Sequence, residues 1–286
     1  MPYRIIRKEI LNPTVIRMDI DAPLVARVAK AGQFIILRAT EDGERIPLTI
    51  ADYDRNEGWV SIIFQVVGAT TECLAHLEEG EDLADFVGPL GMPTDLDGLS
   101  RILVIGGGVG SAIALPIAKS AKARGIHVTS IIGFRSRDLA ILEDDFRKYS
   151  DTLICVSDDG TFGEQGRVTE PLKVLLEKGI TFDRVFAIGP LVMMKFVTET
   201  VRPYPVPITV SMNPIMIDGT GMCGGCRLSL VRADGTREIR FACVDGPDFD
   251  GREVDFDEAM LRSRMYQPFE RHAHEESCNL YRRGEK

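Results

Sequence analysis

The sequence predicts an N-terminal antiparallel β-barrel, then an α/β domain with a doubly wound parallel sheet, and then a small C-terminal domain with clustered cysteines. Three observations lead to this fold class. Apolar strands follow one another without helices in the first part of the chain, strands alternate with helices in the second, and glycine, cysteine and aspartate replace the alternation in the third. The predicted units span residues 1–97, 98–212 and 213–250, and a C-terminal tail follows at 251–286.

Length and composition fit such a globular protein. The 286 residues are enough for about two domains, and 44% hydrophobic with 27% charged residues supplies the apolar material for a core. The formal net charge of −9 argues against nucleic acid or an anionic membrane as the main partner. No apolar run approaches the ~20 residues of a membrane span, and the N-terminus lacks a signal-peptide pattern. We therefore expect a cytoplasmic protein without a membrane span.

The barrel prediction depends on five segments rich in Ile, Val and Phe, separated by turn signals such as Asp42-Gly43 and Glu57-Gly58. One short helix is expected at Thr71–Leu77, and Gly88-Pro89-Leu90-Gly91 closes the region. The predicted strands are Tyr3–Leu11, Thr14–Ile20, Gln33–Arg38, Arg45–Ala51 and Trp59–Val67.

The α/β prediction begins at Ile102–Ile105, a wholly apolar run that is typical of a parallel strand covered on both faces. A glycine-rich turn and a helix to Arg124 follow, and the alternation then repeats. We expect a flavodoxin-like strand order, in which the first and fourth strands flank the crevice at the carboxyl ends of the strands. The further predicted strands are Val128–Phe134, Leu153–Ser157, Arg184–Ile188 and Ile208–Val210, and the further helices are Leu139–Tyr149, Val168–Lys178 and Leu191–Val201.

A flavin site is predicted on the fourth barrel strand. Period-two geometry places Arg45, Pro47 and Thr49 on one face, which combines a guanidinium that reaches a diphosphate with a hydroxyl suited to the flavin ring or ribityl chain. Gly68-Ala69-Thr70-Thr71 precedes a short helix whose free N–H groups bind phosphate. Each motif alone is weak, because a strand arginine is usually solvated and Gly-x-x-Thr is common. The pair suits a diphosphate, so we predict FAD, bound by Arg45, Pro47, Leu48, Thr49, Gln65, Val66, Gly68, Thr70 and Thr71.

A nucleotide site is predicted at Gly106–Gly110, between a buried strand and a helix. Glycine lets the backbone approach a dinucleotide phosphate at the helix N-terminus. Ser111 breaks the G-x-G-x-x-G fingerprint, so a plain glycine-rich turn stays open as the alternative. Gly189-Pro190 repeats the arrangement at the fourth strand, with Pro190 expected as the first helical residue. Both turns would then face one ligand.

Charged residues near the predicted nucleotide site give opposing signals about the cofactor. Asp158 and Asp159 follow the third strand, where a carboxylate accepts from a ribose 2′-hydroxyl and repels a 2′-phosphate, which favours NAD(H). Arg135 and Arg137, just after the second strand, favour NADP(H). The predicted nucleotide-binding residues are Gly107, Gly108, Val109, Gly110, Arg135, Asp158, Asp159, Gly189, Pro190 and Met193.

The cysteines predict an iron–sulfur cluster. Asp218, Cys223, Cys226 and Cys243 have the spacing D-x4-C-x2-C-x16-C. Plant-type 2Fe–2S loops use C-x4-C-x2-C and a distant fourth cysteine, so Asp218 stands where the first thiolate would be. A carboxylate is anionic and ligates iron through oxygen. The intervening glycines allow a tight backbone whose N–H groups approach the cluster sulfurs.

Other interpretations of these cysteines stay open. A structural zinc site usually takes four N or S ligands as two close pairs, and here one pair stands without a nearby histidine. A redox Cys-x-x-Cys, or buried thiols, would leave Cys243 or the glycines unexplained. Cys73 and Cys155 are interpreted as small core residues. His272, His274 and Cys278 fit a solvated tail better than a metal site, and no residue is predicted as catalytic.

In this order, the barrel, R-x-P-L-T, G-x-x-T, the glycine-rich turn and the C-terminal cluster motif resemble the ferredoxin–NADP⁺ reductase superfamily, over nearly the whole chain. The chain is similar to its subgroup with an appended 2Fe–2S domain, which includes dihydroorotate dehydrogenase electron-transfer subunits and small subunits of NADH-dependent reduced ferredoxin:NADP⁺ oxidoreductase. Pro47-Leu48 departs from the plant-type R-x-Y-S form, which puts an aromatic stacking partner in doubt. Asp218 within Met216–Arg227, and Met193-Met194 after Gly189-Pro190, resemble the transhydrogenase small subunit.

This resemblance implies hydride exchange between NAD(H) and FAD, and then single-electron transfer through the 2Fe–2S cluster. It further implies a larger partner subunit with its own flavin and iron–sulfur clusters, and ferredoxin as a partner of the complex. The C-terminal tail, with Met260, Met265 and Phe269, is a candidate docking segment. An electron-transfer subunit of NAD-dependent dihydroorotate dehydrogenase, a standalone NADH:acceptor reductase and a non-catalytic redox sensor remain as alternatives.

Overall fold

The computed structural model describes residues 3–265 and residue 269. His272, His274, Cys278 and most of the predicted docking tail lie outside the described residues. Among those described, no helix is both long and apolar enough to cross a membrane.

The N-terminal unit is a nearly closed antiparallel barrel. Its sheet has the order β6-β1-β2-β5-β4-β3-β7, and alternate residues such as Ile35, Leu37 and Phe64 point into a common apolar core. The elements are β1 (Tyr3–Asn12), β2 (Val15–Asp21), α1 (Pro23–Ala26), β3 (Phe34–Arg38), β4 (Arg45–Asp54), β5 (Trp59–Gln65), α2 (Ala69–His76), β6 (Asp82–Leu83) and β7 (Asp85–Leu90).

The five strands predicted for the barrel are all present, with ends that differ by a few residues. The segment Gly88–Gly91, predicted to close the region, lies at its end: Gly88 to Leu90 belong to β7, the last barrel strand, which pairs with β3. Helix α2 begins at Ala69, two residues before the predicted start.

The second unit is a parallel sheet with helices on its faces. Its order is β11-β10-β9-β8-β12-β13-β16, in which β16 (Asp248–Asp250) comes from the C-terminal unit. The elements are β8 (Arg101–Gly107), α3 (Gly110–Ala123), β9 (His127–Phe134), α4 (Glu143–Tyr149), β10 (Thr152–Ser157), β11 (Glu164–Gln165), α5 (Thr169–Glu177), β12 (Arg184–Ile188), α6 (Leu191–Val201) and β13 (Ile208–Ser211).

The strand order corrects the flavodoxin-like expectation. Counted along the chain, the long parallel strands run 3-2-1-4-5, which is the Rossmann order 3-2-1-4-5-6 without its sixth strand, whereas flavodoxin has 2-1-3-4-5. The expected consequence holds in this order, because the first strand, β8, pairs directly with the fourth, β12. The predicted helix Leu139–Tyr149 is also shorter, since Leu142 has a φ of +60° and interrupts it, so α4 begins at Glu143.

The C-terminal unit returns to the α/β sheet. Strands β14 (Arg227–Val231) and β15 (Arg237–Phe241) form an antiparallel hairpin. Strand β16 (Asp248–Asp250) pairs antiparallel with β13, and α7 (Phe256–Ser263) follows. None of these elements was predicted. The many glycines and cysteines of this region hide the short two-residue periodicity of its strands.

One apolar core joins the three units. It contains Phe34 and Ile36 from the barrel, Leu103 and Val210 from the parallel sheet, and Phe249 from β16. The guanidinium of Arg252 donates to the carbonyl oxygens of residues at and after the end of α6: Val201, Arg202, Tyr204 and Val206, at 2.7–3.3 Å. The segment that follows the cysteines is therefore anchored to the parallel sheet and to α6.

Candidate functional site

The segment that contains Cys223 and Cys226 forms a tight loop, residues 218–226, which we call the cluster loop. Gly219, Gly221 and Gly224 have φ values of +73°, +83° and +67°, a left-handed conformation that residues with a Cβ rarely adopt. These turns bring the start of the loop, Asp218, back to Cys223.

The carboxylate of Asp218 is held by backbone N–H groups of its own loop. Its Oδ1 accepts from Thr220 N at 2.8 Å, and its Oδ2 accepts from Cys223 N at 2.9 Å. The N–H of Thr220 is the largest cause that lowers the pKa of Asp218. Both oxygens are bound to the backbone, and each retains a lone pair that a metal could use.

The thiols of the C-terminal unit have different surroundings. Cys226 and Cys243 are buried with their Sγ atoms 3.1 Å apart, whereas Cys223 is exposed and its Sγ accepts from Gly225 N at 3.4 Å. Burial raises the pKa of Cys243 to about 12, and the N–H of Gly221 opposes that shift. Within residues 3–265, no three His, Cys, Asp or Glu side chains are gathered as a ready metal site. The paired thiols and the N–H···S contact nevertheless fit a sulfur-ligated cluster.

The predicted flavin strand, residues 45–49, lies at the start of β4. Ile46, Leu48 and Ile50 pack towards the barrel core, so Leu48 could reach the opposite face only through its backbone. Pro47 pairs directly with Ile36 of β3, and Thr49 pairs with Phe34. These positions therefore share the face on which Ile36 and Phe34 meet the core that joins the three units.

Polar contacts bring the two predicted phosphate-binding segments together. Arg45 is exposed and its Nη2 lies 3.1 Å from Oδ2 of Asp85. The hydroxyl of Thr70 donates to Glu44 at 3.0 Å, which places the N-terminus of α2 beside the start of β4. Among the described residues, a Cβ built on Gly68 would meet no atom within 4 Å, so in this part of the chain the approach to the helix end is open.

The remaining predicted flavin residues are less directly placed for a ligand. The hydroxyl of Thr71 accepts from the N–H groups of Val67 and Gly68 at 3.0 and 3.1 Å, so it serves the start of the helix. Gln65 is exposed at the end of β5. Val66 donates its N–H to Thr14 O at 2.8 Å, and its side chain packs against the barrel core.

The two predicted nucleotide turns pack directly against each other. A Cβ on Gly110 would lie 2.5 Å from Ile188 O and 2.6 Å from the Cα of Gly189. A Cβ on Gly107 would lie 2.2 Å from the Sδ of Met193, which fills the space between the turns. Gly108 has a φ of +55°, and no atom of the described residues lies within 4 Å of its Cβ position, so the turn is open at Gly108 within the described part of the chain. Pro190 caps α6 and is not its first helical residue.

The charged residues predicted to select the nucleotide lie at neighbouring strand ends. The N–H groups of Asp158 and Asp159 donate to Phe134 O and Arg135 O at 3.2 and 3.3 Å, so Arg135 lies next to the two aspartates. Asp159 accepts from Thr161, whose hydroxyl is the largest cause that lowers the Asp159 pKa. The exposed side chain of Asp158 has no hydrogen bond or ion pair within the described part of the chain.

Two side chains near these positions escaped the sequence reasoning. Asp85 pairs with Arg45 from 40 residues away, and Arg262 donates to Gly225 O from 37 residues away. Neither belongs to a local motif, so only the tertiary fold reveals it. Arg137, by contrast, stands over the ring of Phe162 at 5.2 Å and pairs with Glu143, so it is engaged away from Asp158.

Comparison with known proteins gives consistent relatives. Residues 213–255 match the iron–sulfur cluster binding domain of dihydroorotate dehydrogenase B. A Thermotoga maritima protein named as a homolog of the dihydroorotate dehydrogenase B (NAD(+)) electron transfer subunit is 44% identical, over 95% of this chain and 94% of its own. The subunit of that name from Fusobacterium nucleatum is 31% identical, over 84% and 93%.

A solved structure supports the same relationship. It is described as the NADH-dependent reduced ferredoxin-NADP oxidoreductase structure, in a study of flavin-based electron bifurcation. The matching chain has a TM-score of 0.89 and 42% identity, and the alignment covers 96% of this chain and 98% of that one. The protein belongs to the family of dihydroorotate dehydrogenase B electron transfer subunits and their homologues, within the ferredoxin–NADP⁺ reductase superfamily.

Proposed function

We propose that this protein is the electron-transfer subunit of an NADH-dependent flavin and iron–sulfur oxidoreductase. It exchanges a hydride between NAD(H) and FAD, and passes single electrons through a 2Fe–2S cluster to or from a larger subunit. The observation that carries the proposal is a close approach between the cluster loop and the barrel. A Cβ on Gly219 would lie 2.6 Å from Cδ1 of Leu90 and 2.9 Å from Cδ1 of Ile36, which is the direct strand partner of Pro47. The cluster loop is therefore packed against a direct neighbour of the predicted flavin strand.

The proposed FAD site uses Arg45 and the N-terminus of α2 for the diphosphate, with Pro47 and Thr49 on the same strand face. The exposure of Arg45 and the open space at Gly68 support this role. When bound, FAD accepts two electrons together and releases them singly. Asp85 keeps the guanidinium of Arg45 on the outer face of the barrel.

The proposed cluster ligands are Asp218, Cys223, Cys226 and Cys243. Cys226 and Cys243 are buried, which would shield their side of the cluster from water. The positive φ values of the loop glycines turn the backbone so that its N–H groups can approach sulfur. Asp218 ligation is the less direct part of this set, because its oxygens bind Thr220 and Cys223.

The proposed nucleotide site lies at the carboxyl ends of β8 and β12, where the Gly107–Gly110 turn and the Gly189-Pro190 turn meet. NAD(H) is proposed over NADP(H). The side chain of Asp158 has no hydrogen bond or ion pair within residues 3–265 and so is available for a ribose hydroxyl. Like-charge contact with a 2′-phosphate disfavours NADPH.

A larger flavin and iron–sulfur subunit is the proposed partner, with ferredoxin reached through the complex and a cytoplasmic location. Met222 of the cluster loop is 88% exposed and Ile217 is 55% exposed, which supports a docking surface beside the cluster. Electron bifurcation, the subject of the 42% identical structure, would belong to that complex. The four-unit division at 97/98, 212/213 and 250/251 also remains a proposal.

The second candidate is an electron-transfer subunit of dihydroorotate dehydrogenase B, which the match over residues 213–255 favours. The cluster motif of dihydroorotate-type subunits is similar to C-x4-C-x2-C, whereas this chain has Asp218 in place of the first cysteine of that motif. Electron delivery to a dihydroorotate dehydrogenase, measured against delivery to a ferredoxin-linked subunit, separates the two.

The function is tested on the full chain purified without oxygen. We expect FAD, and two irons with two sulfides per chain. In stopped flow, NADH should bleach the flavin before the cluster is reduced, and NADPH should be at least about tenfold less effective, which corresponds to about 1.4 kcal/mol. Asp158→Ser should narrow that preference.

Matched variants separate the parts of this proposal. Cys226→Ser should lose the cluster spectrum and retain flavin reduction by NADH, whereas Cys155→Ser should retain both. Stoichiometric zinc without sulfide would contradict the cluster, release of FMN would contradict FAD, and faster reduction by NADPH would contradict the role of Asp158. NADH oxidation without any partner would identify a standalone reductase, and no hydride transfer at all would identify a sensor.

A further inference from the structure

The last described helix, α7, touches the cluster loop through one side chain. The Nη2 of Arg262 lies 3.3 Å from the carbonyl oxygen of Gly225. Gly225 stands between Cys223 and Cys226, and its own N–H faces the Sγ of Cys223. A guanidinium thus lies within a few atoms of two proposed cluster ligands.

Helix α7 is held firmly enough to position this arginine. Asp255 caps the helix by accepting from Glu258 N at 3.0 Å, and the N–H of Asp255 donates to Ser229 O of β14. At the other side, Asp257 lies 2.6 Å from Nζ of Lys195 on α6. The helix is therefore attached both to the hairpin that follows the cluster loop and to the α/β domain.

The charge of Arg262 is not neutralised by a carboxylate within residues 3–265. By contrast, Arg232 of the same unit pairs with Glu253, and Arg237 pairs with Asp255. A cation that keeps its charge in a half-buried position acts on nearby groups more strongly than a paired one.

The contact also polarises a specific peptide group. The carbonyl of Gly225 belongs to the same peptide as the N–H of Cys226, and that N–H donates to no other atom of the described chain. A donor at the carbonyl end strengthens the N–H at the other end as a donor. Hydrogen bonds to the cluster sulfurs and positive charge near them raise the reduction potential, because the reduced cluster is the more negative state.

We propose that Arg262 is a positioning residue for the cluster: it fixes the Gly225 peptide and keeps a positive charge beside Cys223 and Cys226, which raises the reduction potential of the cluster. This role rests on the proposed function, since it requires the cluster to be bound there.

The test is a redox titration of the full chain followed by the electron paramagnetic resonance of the reduced cluster. Arg262→Gln should lower the equilibrium constant for one-electron reduction about tenfold, which is about 59 mV for one electron. Arg262→Lys retains the charge and should recover part of the shift. Arg264→Gln removes the same charge from an exposed position two residues away. It should change the equilibrium constant for one-electron reduction by no more than a few-fold.

Two results would overturn the inference and leave the proposed function intact. An unchanged potential and spectrum in Arg262→Gln, with iron and sulfide retained, would show that the contact does not act on the cluster. Equal shifts in Arg262→Gln and Arg264→Gln would show a general surface-charge effect. A wild-type chain that binds no iron and sulfide would overturn the proposed function and this inference together, which distinguishes the two kinds of failure.

Discussion

The nucleotide turns and the cluster loop are both rich in glycine, for different physical reasons. At the nucleotide turns, Gly107, Gly110 and Gly189 have ordinary φ values, and a Cβ on each would collide with an atom less than 3 Å away. In the cluster loop, Gly224 has a φ of +67°, and its Cβ position is 3.8 Å from the nearest atom, in the ring of Phe241. Gly107, Gly110 and Gly189 are therefore needed for space, whereas Gly224 is needed for backbone conformation.

The two regions also differ in what holds them. The nucleotide turns are fixed by close van der Waals contact between backbones and Met193. The C-terminal unit shares the apolar core and is also held by directed polar contacts, such as Asp218 with Cys223 N, Arg252 with the end of α6, and Thr94 with Asp248. The first region should therefore respond mainly to volume, and the second mainly to charge and pH.

The largest effect is expected at Gly110. Gly110→Ala pushes a methyl group into Ile188 O and the Gly189 backbone, which have no flexible end to move. The free energy of unfolding should fall by more than about 3 kcal/mol, and NADH affinity should fall with it. Gly108→Ala is the matched control in the same turn, and its open position at a φ of +55° should cost only about 1 kcal/mol. Equal losses in urea titrations would contradict the distinction by space.

A smaller effect is expected at Asp248, where the C-terminal unit rejoins the sheet. Its Oδ2 accepts from Thr94 at 2.6 Å, while its Oδ1 is shielded from solvent and has no partner within the described chain. Burial raises the pKa of Asp248 from 3.8 to about 6. Because the folded pKa lies above the unfolded one, the charged carboxylate costs stability above pH 6, and the cost fades as the pH falls towards 4.

Replacing this carboxyl by an amide removes the charge. Asp248→Asn should raise the free energy of unfolding by about 1–2 kcal/mol at pH 8, after allowance for the partial exposure of the residue. The gain should be nearly constant above about pH 7 and should shrink between about pH 6 and pH 4, as measured by urea unfolding at each pH. A gain that is constant with pH would mean that the amide makes a better hydrogen bond and that the charge is unimportant.

The smallest effect is expected in the cluster loop. Gly224→Ala introduces no collision, so only the left-handed φ opposes it, at about 1 kcal/mol. Gly224→Asn should cost less, since asparagine tolerates this conformation. The loss of stability in each variant is measured as the amount of iron that the protein retains after mild heating. If alanine and asparagine were equally harmful, the N–H direction or the space around the loop would matter more than φ.

Local patterns were enough to predict most strands and helices of the first two units. Apolar runs bounded by glycine predicted Arg184–Ile188 and Leu191–Val201 at their observed bounds. The strand order was missed because no residue pattern distinguishes 3-2-1-4-5 from 2-1-3-4-5. The break at Leu142 was missed because leucine rarely adopts a positive φ.

The candidate site divides in the same manner. The spacing of Asp218, Cys223, Cys226 and Cys243 was visible as a local motif, and the match to an iron–sulfur domain covers it. The partners that position these residues, such as Arg262 and Ile36, come from distant parts of the chain. Their roles depend on tertiary packing, which a motif does not encode.

Strand β16 has a consequence for biosynthesis. The edge of the parallel sheet is completed by Asp248–Asp250, which the ribosome makes only after all the cysteines of the cluster loop and Cys243. Until then β13 presents an unpaired edge, and the nascent chain has every proposed cluster ligand outside the finished sheet. A chain truncated before residue 248 should consequently be caught by chaperones or aggregate through β13, and iron–sulfur assembly factors would meet these ligands before the last strand closes the fold.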